Sequence, residues 1–274
     1  MTITNENDEA YANAAFINNS EEIVSEWTKK AEYFRVNKLE SGTAELDIPY
    51  GDSNRQKFDI FQPNTKPLGT VIFIHGGYWI DLDKSYWSHF ASGVLANGYR
   101  CVIPSYDLCP TVKISDITGQ IKNLVCYVLE KYDGMISLVG HSAGGHLVSR
   151  MISIDQWNIS KLRSDLLKRL HHVVAISPIA DLRPLLKTSM NNKFHLNQQT
   201  AEKESPVFHT KMDIPFTLLV GENERPAFLS QAEYLREAWS CLKIIAKGKH
   251  HFNILDDLEN ERSELVNLLT KIYG

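Results

Sequence analysis

The chain of 274 residues carries only four cysteines, Cys101, Cys109, Cys126 and Cys241, with no Cys-x-x-Cys pair among them. Such spacing excludes a zinc knuckle or a dithiol redox centre and leaves the thiols to be read as small buried hydrophobes in a reducing compartment. Charge of one sign is also scarce: 29 Lys and Arg stand against 33 Asp and Glu, a formal net charge of -4. No field of that size gathers nucleic acid or an anionic membrane surface. Apolar runs of bilayer length are missing, and Met1 to Ala10 is polar and acidic where a secretory signal would be basic and then apolar. There is no Gly-x-Gly-x-x-Gly and no phosphate loop, and His89, His146, His171, His172, His195 and His209 lack metal-ligand spacing. The expectation is a cytoplasmic protein acting on a small molecule, without cofactor, metal, nucleic acid or membrane partner, with a homodimer left open. Repeats, low-complexity tracts and linkers are absent as well, so the length and 43% hydrophobic content suit one α/β domain over 1–274.

What is present is an alternation of strand-like and helical patterns. Eight short strands are expected at Ala44–Pro49, Lys57–Gln62, Thr70–His75, Arg100–Ser105, Met135–Gly140, His171–Ser177, Pro215–Gly221 and Cys241–Ala246. From the third onward they are nearly continuous in Val, Ile, Leu and Phe, as in parallel strands covered on both faces. Helical patterns lie between them at Lys84–Asn97, Lys113–Tyr132, Ala143–Asp155 and Ala227–Trp239, which predicts an eight-stranded, mostly parallel sheet with helices on both faces. Two more helices flank this core, Ser20–Arg35 within an N-terminal helical segment of residues 1–36, opened by Ser20 as a capping serine, and Asp257–Tyr273. The polar stretch 182–211 lacks clear periodicity and reads as an excursion over the site, a small lid or a surface loop.

The sharpest local signal is Gly140-x-Ser142-x-Gly144, directly after the fifth strand and before a helix. A serine projected from so tight a strand-to-helix turn leaves no room for side chains two residues to either side, hence the glycines. This is the arrangement of a nucleophile elbow in an α/β-hydrolase, with Ser142 as nucleophile. A serine hydroxyl needs a base and an oxyanion site. In this fold an acid and then a histidine follow the nucleophile in chain order, on loops at strand carboxyl ends. After the seventh strand the chain reads Leu219-Val-Gly-Glu222-Asn-Glu224-Arg-Pro226, so Glu224 is the first choice of acid, then Glu222, with Asp181 more distant. After the eighth comes Lys247-Gly-Lys-His250-His251, and His251 is favoured as base over its neighbour His250. The third strand ends in His75-Gly76-Gly77-Tyr78-Trp79, whose loop would supply the amides of Gly76 and Gly77 to an oxyanion hole shared with Ala143. Tyr78, Trp79 and Trp87 are the candidate aromatic walls of a substrate pocket.

His75-Gly-Gly-Tyr-Trp79, Asp83-Lys-Ser85, Tyr106-Asp-Leu-Cys-Pro110, Gly140-His-Ser-Ala-Gly-Gly-His-Leu147 and Asp181-Leu-Arg-Pro-Leu185 together resemble kynurenine formamidase, also called arylformamidase, from about Tyr11 to the C-terminus. The resemblance implies hydrolysis of N-formyl-L-kynurenine to formate and L-kynurenine in tryptophan degradation, with Ser142, Glu224 and His251 at the family's catalytic positions. The chain departs from that pattern in having Glu224 where the family has aspartate and His250 before the base. A carboxylesterase acting on small aryl or alkyl esters would use the same machinery, and a non-catalytic binding protein would keep only the fold.

Overall fold

The computed structural model describes residues 3–157 and 165–271. Eight strands form one sheet: β1 (Ala44–Pro49), β2 (Lys57–Phe61), β3 (Gly69–Ile74), β4 (Arg100–Pro104), β5 (Met135–His141), β6 (Leu170–Ile176), β7 (Phe216–Gly221) and β8 (Leu242–Ala246). Their order is β1-β2-β4-β3-β5-β6-β7-β8, with β1 and β2 antiparallel and the six from β4 to β8 parallel. The strands begin and end within a residue or so of their expected bounds, because the apolar runs mark where the chain is buried on both faces.

Successive residues of these strands feed two separate cores. Ile72, Ile74, Leu138 and Leu218 join the core beneath α4 (Ile114–Lys131) and α5 (Ala143–Met151). Val71, Phe73, Val139 and Leu219 join the opposite one, under Trp27 of α2 (Ser20–Glu40), Val94 of α3 (Ser92–Ala96) and Leu265. The period of two along each strand is what puts helices on both faces.

Three helical expectations are corrected. The pattern at Lys84–Asn97 is two 3₁₀ turns, Lys84–Tyr86 and Ser88–Ala91, before the five-residue α3. Trp87, His89, Phe90 and Ala91 are all buried, so packing on every side replaces the one-sided stripe a regular helix would have needed. Similarly, Asp257–Tyr273 divides into a 3₁₀ turn, Asn253–Leu258, and a helix, Glu264–Thr270, restarted by Ser263 whose side chain accepts from Val266 N. Ile272 and Tyr273 lie outside the described residues. The capping serine of α2 is not formed: Asn19 occupies the cap with φ 58 and Ser20 is already helical, while the helix runs on to Glu40. Among the described residues no helix is long and apolar enough to cross a membrane.

His75, His89, His141 and His146 are each at most 3% exposed. Burial, which penalises the charged imidazolium, lowers His75 to about 4, and His89 and His146 to about 3, with His141 also well below the ordinary value. Between about pH 6.5 and 4 the unfolded chain therefore binds protons that the folded one refuses. Stability falls as pH is lowered through that window, by up to ~1.4 kcal/mol per pH unit for each histidine. The unfolding midpoint is expected to drop by several degrees from pH 7 to pH 5; an unchanged midpoint in a thermal scan would rule this out.

Candidate active site

Ser142 sits at φ 57, ψ -115 between β5 and α5, a strained conformation for a residue other than glycine. Two backbone bonds hold it there, Ser142 N donating to Ile176 O at 2.8 Å and His146 N to Ser142 O at 3.0 Å. A Cβ on Gly140 would come within 2.1 Å of Gly144 O, and one on Gly144 within 2.0 Å of Ile74 O. Either substitution breaks the turn, which is the steric reason for both glycines.

The loops after β7 and β8 bring Glu224 and His251 together. The His251 Nδ1–H donates to Glu224 Oε2 at 2.8 Å, both residues being nearly inaccessible. A carboxylate only accepts, so the proton is on Nδ1 and Nε2 is left as the basic nitrogen. The second carboxylate oxygen, Glu224 Oε1, accepts from the Ser177 hydroxyl at 2.5 Å. Ser177 is itself buried, has φ 46 and donates its amide to Leu219 O at 2.7 Å. On the other side, His141 lies 4.6 Å from the His251 ring and its Nε2–H donates to the His251 carbonyl at 2.8 Å. Burial and the neighbouring His251 keep His141 neutral. The first contact holds Glu224 and the second the main chain of His251, and neither Ser177 nor His141 stands out in the sequence. Their only local mark is position, Ser177 one residue past β6 and His141 one before Ser142.

The loop after β3 is braced by a stack of rings. His75 lies between Tyr106, 4.4 Å away and nearly parallel, and Trp87, 6.1 Å away, and its Nδ1–H donates to Gly76 O at 2.6 Å. Tyr106 Oη donates to His75 O at 2.9 Å, and Arg55 holds the Tyr106 and Leu82 carbonyls at 2.7 and 2.6 Å. Gly77 has φ +107, and a Cβ there would strike Asp81 O at 2.4 Å, so the glycine is required.

Gly76, Gly77, Ser142 and His251 line one cavity of about 270 Å³, with Trp27, Tyr78, Trp87 and Phe252 as aromatic wall. Ala143 is fully buried at the start of α5 and can contribute only its main chain. Tyr78 is on the wall, its hydroxyl donating to Tyr11 O at 2.6 Å. Trp79 is not: it is fully buried, edge-on to His146 at 5.0 Å and to Phe194 at 5.7 Å, and belongs to the core. Tyr78 and Trp79 both adopt left-handed backbone, φ 52 and 55, and the resulting turn sends the second ring inward.

The remaining alternatives are placed elsewhere. Glu222 is exposed and accepts from Gly248 N at 2.9 Å, tying the turn after β8. Asp181 pairs with Arg183 at 2.7 Å, and His250 Nδ1 accepts from Phe252 N at 3.2 Å. Of the 182–211 stretch, Met190 reaches the cavity, whereas Tyr11, Asn13 and Ala14 of the N-terminal segment form much of its roof. Among the described residues no cluster of His, Cys, Asp or Glu is arranged to hold a metal ion. The arrangement can deliver a hydroxyl, a base and main-chain amides to one small apolar chamber.

Removing the donor on Glu224 tests how much its placement matters. Ser177→Ala is expected to lower kcat about tenfold with KM within twofold, as for loss of a group that orients the base rather than one that meets substrate. Equal falls in kcat and 1/KM would contradict this.

Comparison with known proteins places the chain further. Residues 58–239 match the family model BD-FAE. The chain is 29% identical to a kynurenine formamidase of Danio rerio over 87% of its length and 88% of that protein. It is 45% identical, with a TM-score of 0.92, to the crystal structure of a proposed thioesterase from Silicibacter sp., over 97% of this chain and 99% of that one. Esterase B of Lactobacillus rhamnosis has the same fold, with a TM-score of 0.65 over 92% and 94% of the two chains at 18% identity.

Proposed function

We propose, for a chain that belongs to the BD-FAE family of α/β-hydrolases and is a hydrolytic enzyme, that it cleaves N-formyl-L-kynurenine to formate and L-kynurenine. The observation that carries this reading is the Glu224–His251 pair, with His251 and Ser142 lining one small aromatic chamber, taken with the formamidase relatives. In the reaction His251 Nε2 takes the Ser142 proton as Oγ attacks the formyl carbon. The amides of Gly76, Gly77 and Ala143 receive the tetrahedral oxyanion. As the C–N bond breaks, His251 returns its proton to the departing arylamine, and Glu224 stabilises the transient imidazolium. Water then attacks the formyl ester of Ser142 through the same base and releases formate. A formyl carbon bears only hydrogen, so the acyl side can be narrow, while the flat leaving group suits Trp27, Trp87 and Phe252.

The relative at 45% identity carries a thioesterase name, so a thioester is the second reading. The test compares kcat/KM of purified protein on N-formyl-L-kynurenine, 4-nitrophenyl acetate and acetyl-coenzyme A. The formamide is expected to be favoured at least a hundredfold. A preference for ester or thioester would defeat the reading while leaving the catalytic residues as proposed.

A further inference from the structure

Asn13 lies on the cavity roof, 6% exposed, and both Nδ2 and Oδ1 of its carboxamide are buried without a hydrogen-bond partner among the described residues. Burying an amide with donor and acceptor unpaired is costly, and such a group calls for an explanation. Looseness of the segment does not provide one. The strap around Asn13 is pinned on several sides: Asp8 accepts from Ser189 N at 2.6 Å, Gln231 donates to Tyr11 Oη at 2.8 Å, and Arg225 stacks on Phe16 at 3.6 Å. Asn13 is thus held at the cavity with its hydrogen-bonding capacity unspent.

The charges around it narrow what it meets. Among the described residues lining the cavity, Asp81 is the sole Asp, Glu, Lys or Arg. It is exposed, with Oδ1 accepting from Leu82 N at 2.8 Å and the second oxygen without such a bond among the described residues. A zwitterionic amino-acid tail would find a carboxylate for its ammonium there and no cation for its carboxylate. A neutral donor must take that end; among the described residues of the lining the buried unpartnered donors are the Asn13 amide and the Trp87 indole N–H, and of the two only Asn13 belongs to the roof formed by the N-terminal strap.

We propose that Asn13 is a specificity-determining residue whose carboxamide binds the amino-acid end of the arylamine leaving group, with Asp81 facing its ammonium. The proposal rests on the formamidase reading for the chemistry of that leaving group. It makes the N-terminal strap part of the substrate site. An isolated buried polar group kept for binding also implies that removing it does not destabilise the fold.

The test is direct binding, measured by calorimetry, of L-kynurenine and of 2-aminoacetophenone, which shares the ring, amine and ketone but lacks the amino-acid tail. Asn13→Leu is expected to weaken L-kynurenine tenfold or more, to change 2-aminoacetophenone less than twofold, and to leave the unfolding midpoint unchanged or raised by a few degrees. L-kynurenine affinity within twofold of the wild type would overturn the proposal, as would equal weakening of both ligands or failure of the wild type to bind either. Asn13→Ala repeats the comparison should leucine disturb the strap. Because binding is read without turnover, failure of the formamidase reading appears separately, as intact discrimination in a protein that does not hydrolyse the formamide.

Discussion

Ser142→Ala is expected to reduce turnover of the preferred substrate by about 10⁴-fold or more while leaving the unfolding midpoint within about 2 °C of the wild type. Alanine keeps the Cβ that the turn already accommodates at φ 57, so the backbone strain and the bonds to Ile176 and from His146 are unchanged. Only the hydroxyl is lost, and with it the covalent route. A serine-directed phosphonate should label the wild type once per chain and the variant not at all. Activity in the variant above about a hundredth of the wild type would mean that water is activated directly and that Ser142 is not the nucleophile.

The second large effect separates two glutamates two residues apart. Glu224→Gln is expected to cost about 10³–10⁴ in kcat, equivalent to about 4–5.5 kcal/mol of transition-state stabilisation. Glutamine can meet the His251 Nδ1–H with its oxygen, leaving its NH₂ to the Ser177 hydroxyl. It cannot supply the negative charge that the imidazolium requires, and with its amide turned over it would favour the wrong tautomer. Glu222→Gln retains an acceptor for Gly248 N in an exposed position and is expected to stay within about threefold. Steady-state kinetics on the two variants decides the matter. The reverse ranking would move the acid to Glu222 and require the loop after β7 to rearrange.

Much of this site could be read from the chain before folding. Gly140, Ser142 and Gly144 stand together because the turn forbids side chains at the outer positions, and that rule acts within five residues. Glu224 and His251 are legible from their place after strands β7 and β8, since the strands themselves are marked by apolar runs. Trp79 shows where such reading stops. Its neighbour Tyr78 lines the cavity, but two successive left-handed residues turn Trp79 into the core between His146 and Phe194. Nothing in the spacing announces positive φ at an aromatic pair. The helix expected at Lys84–Asn97 gives way to turns for a related cause: Trp87 and Phe90 pack on Trp27 of α2 and Phe73 of β3.

By itself, then, the sequence determined the eight strands, the elbow and the chain order of the candidate residues, because each depends on local sterics or on the period of apolar burial. Tertiary structure alone decided that Ser177 bonds to Glu224 and His141 to His251, that Trp79 is core, and that a strap more than 60 residues before Gly76 roofs the cavity with Asn13. Those outcomes follow from contacts between segments remote in the chain, whose pairing is selected by the packing of the whole and leaves no periodic trace in any one of them.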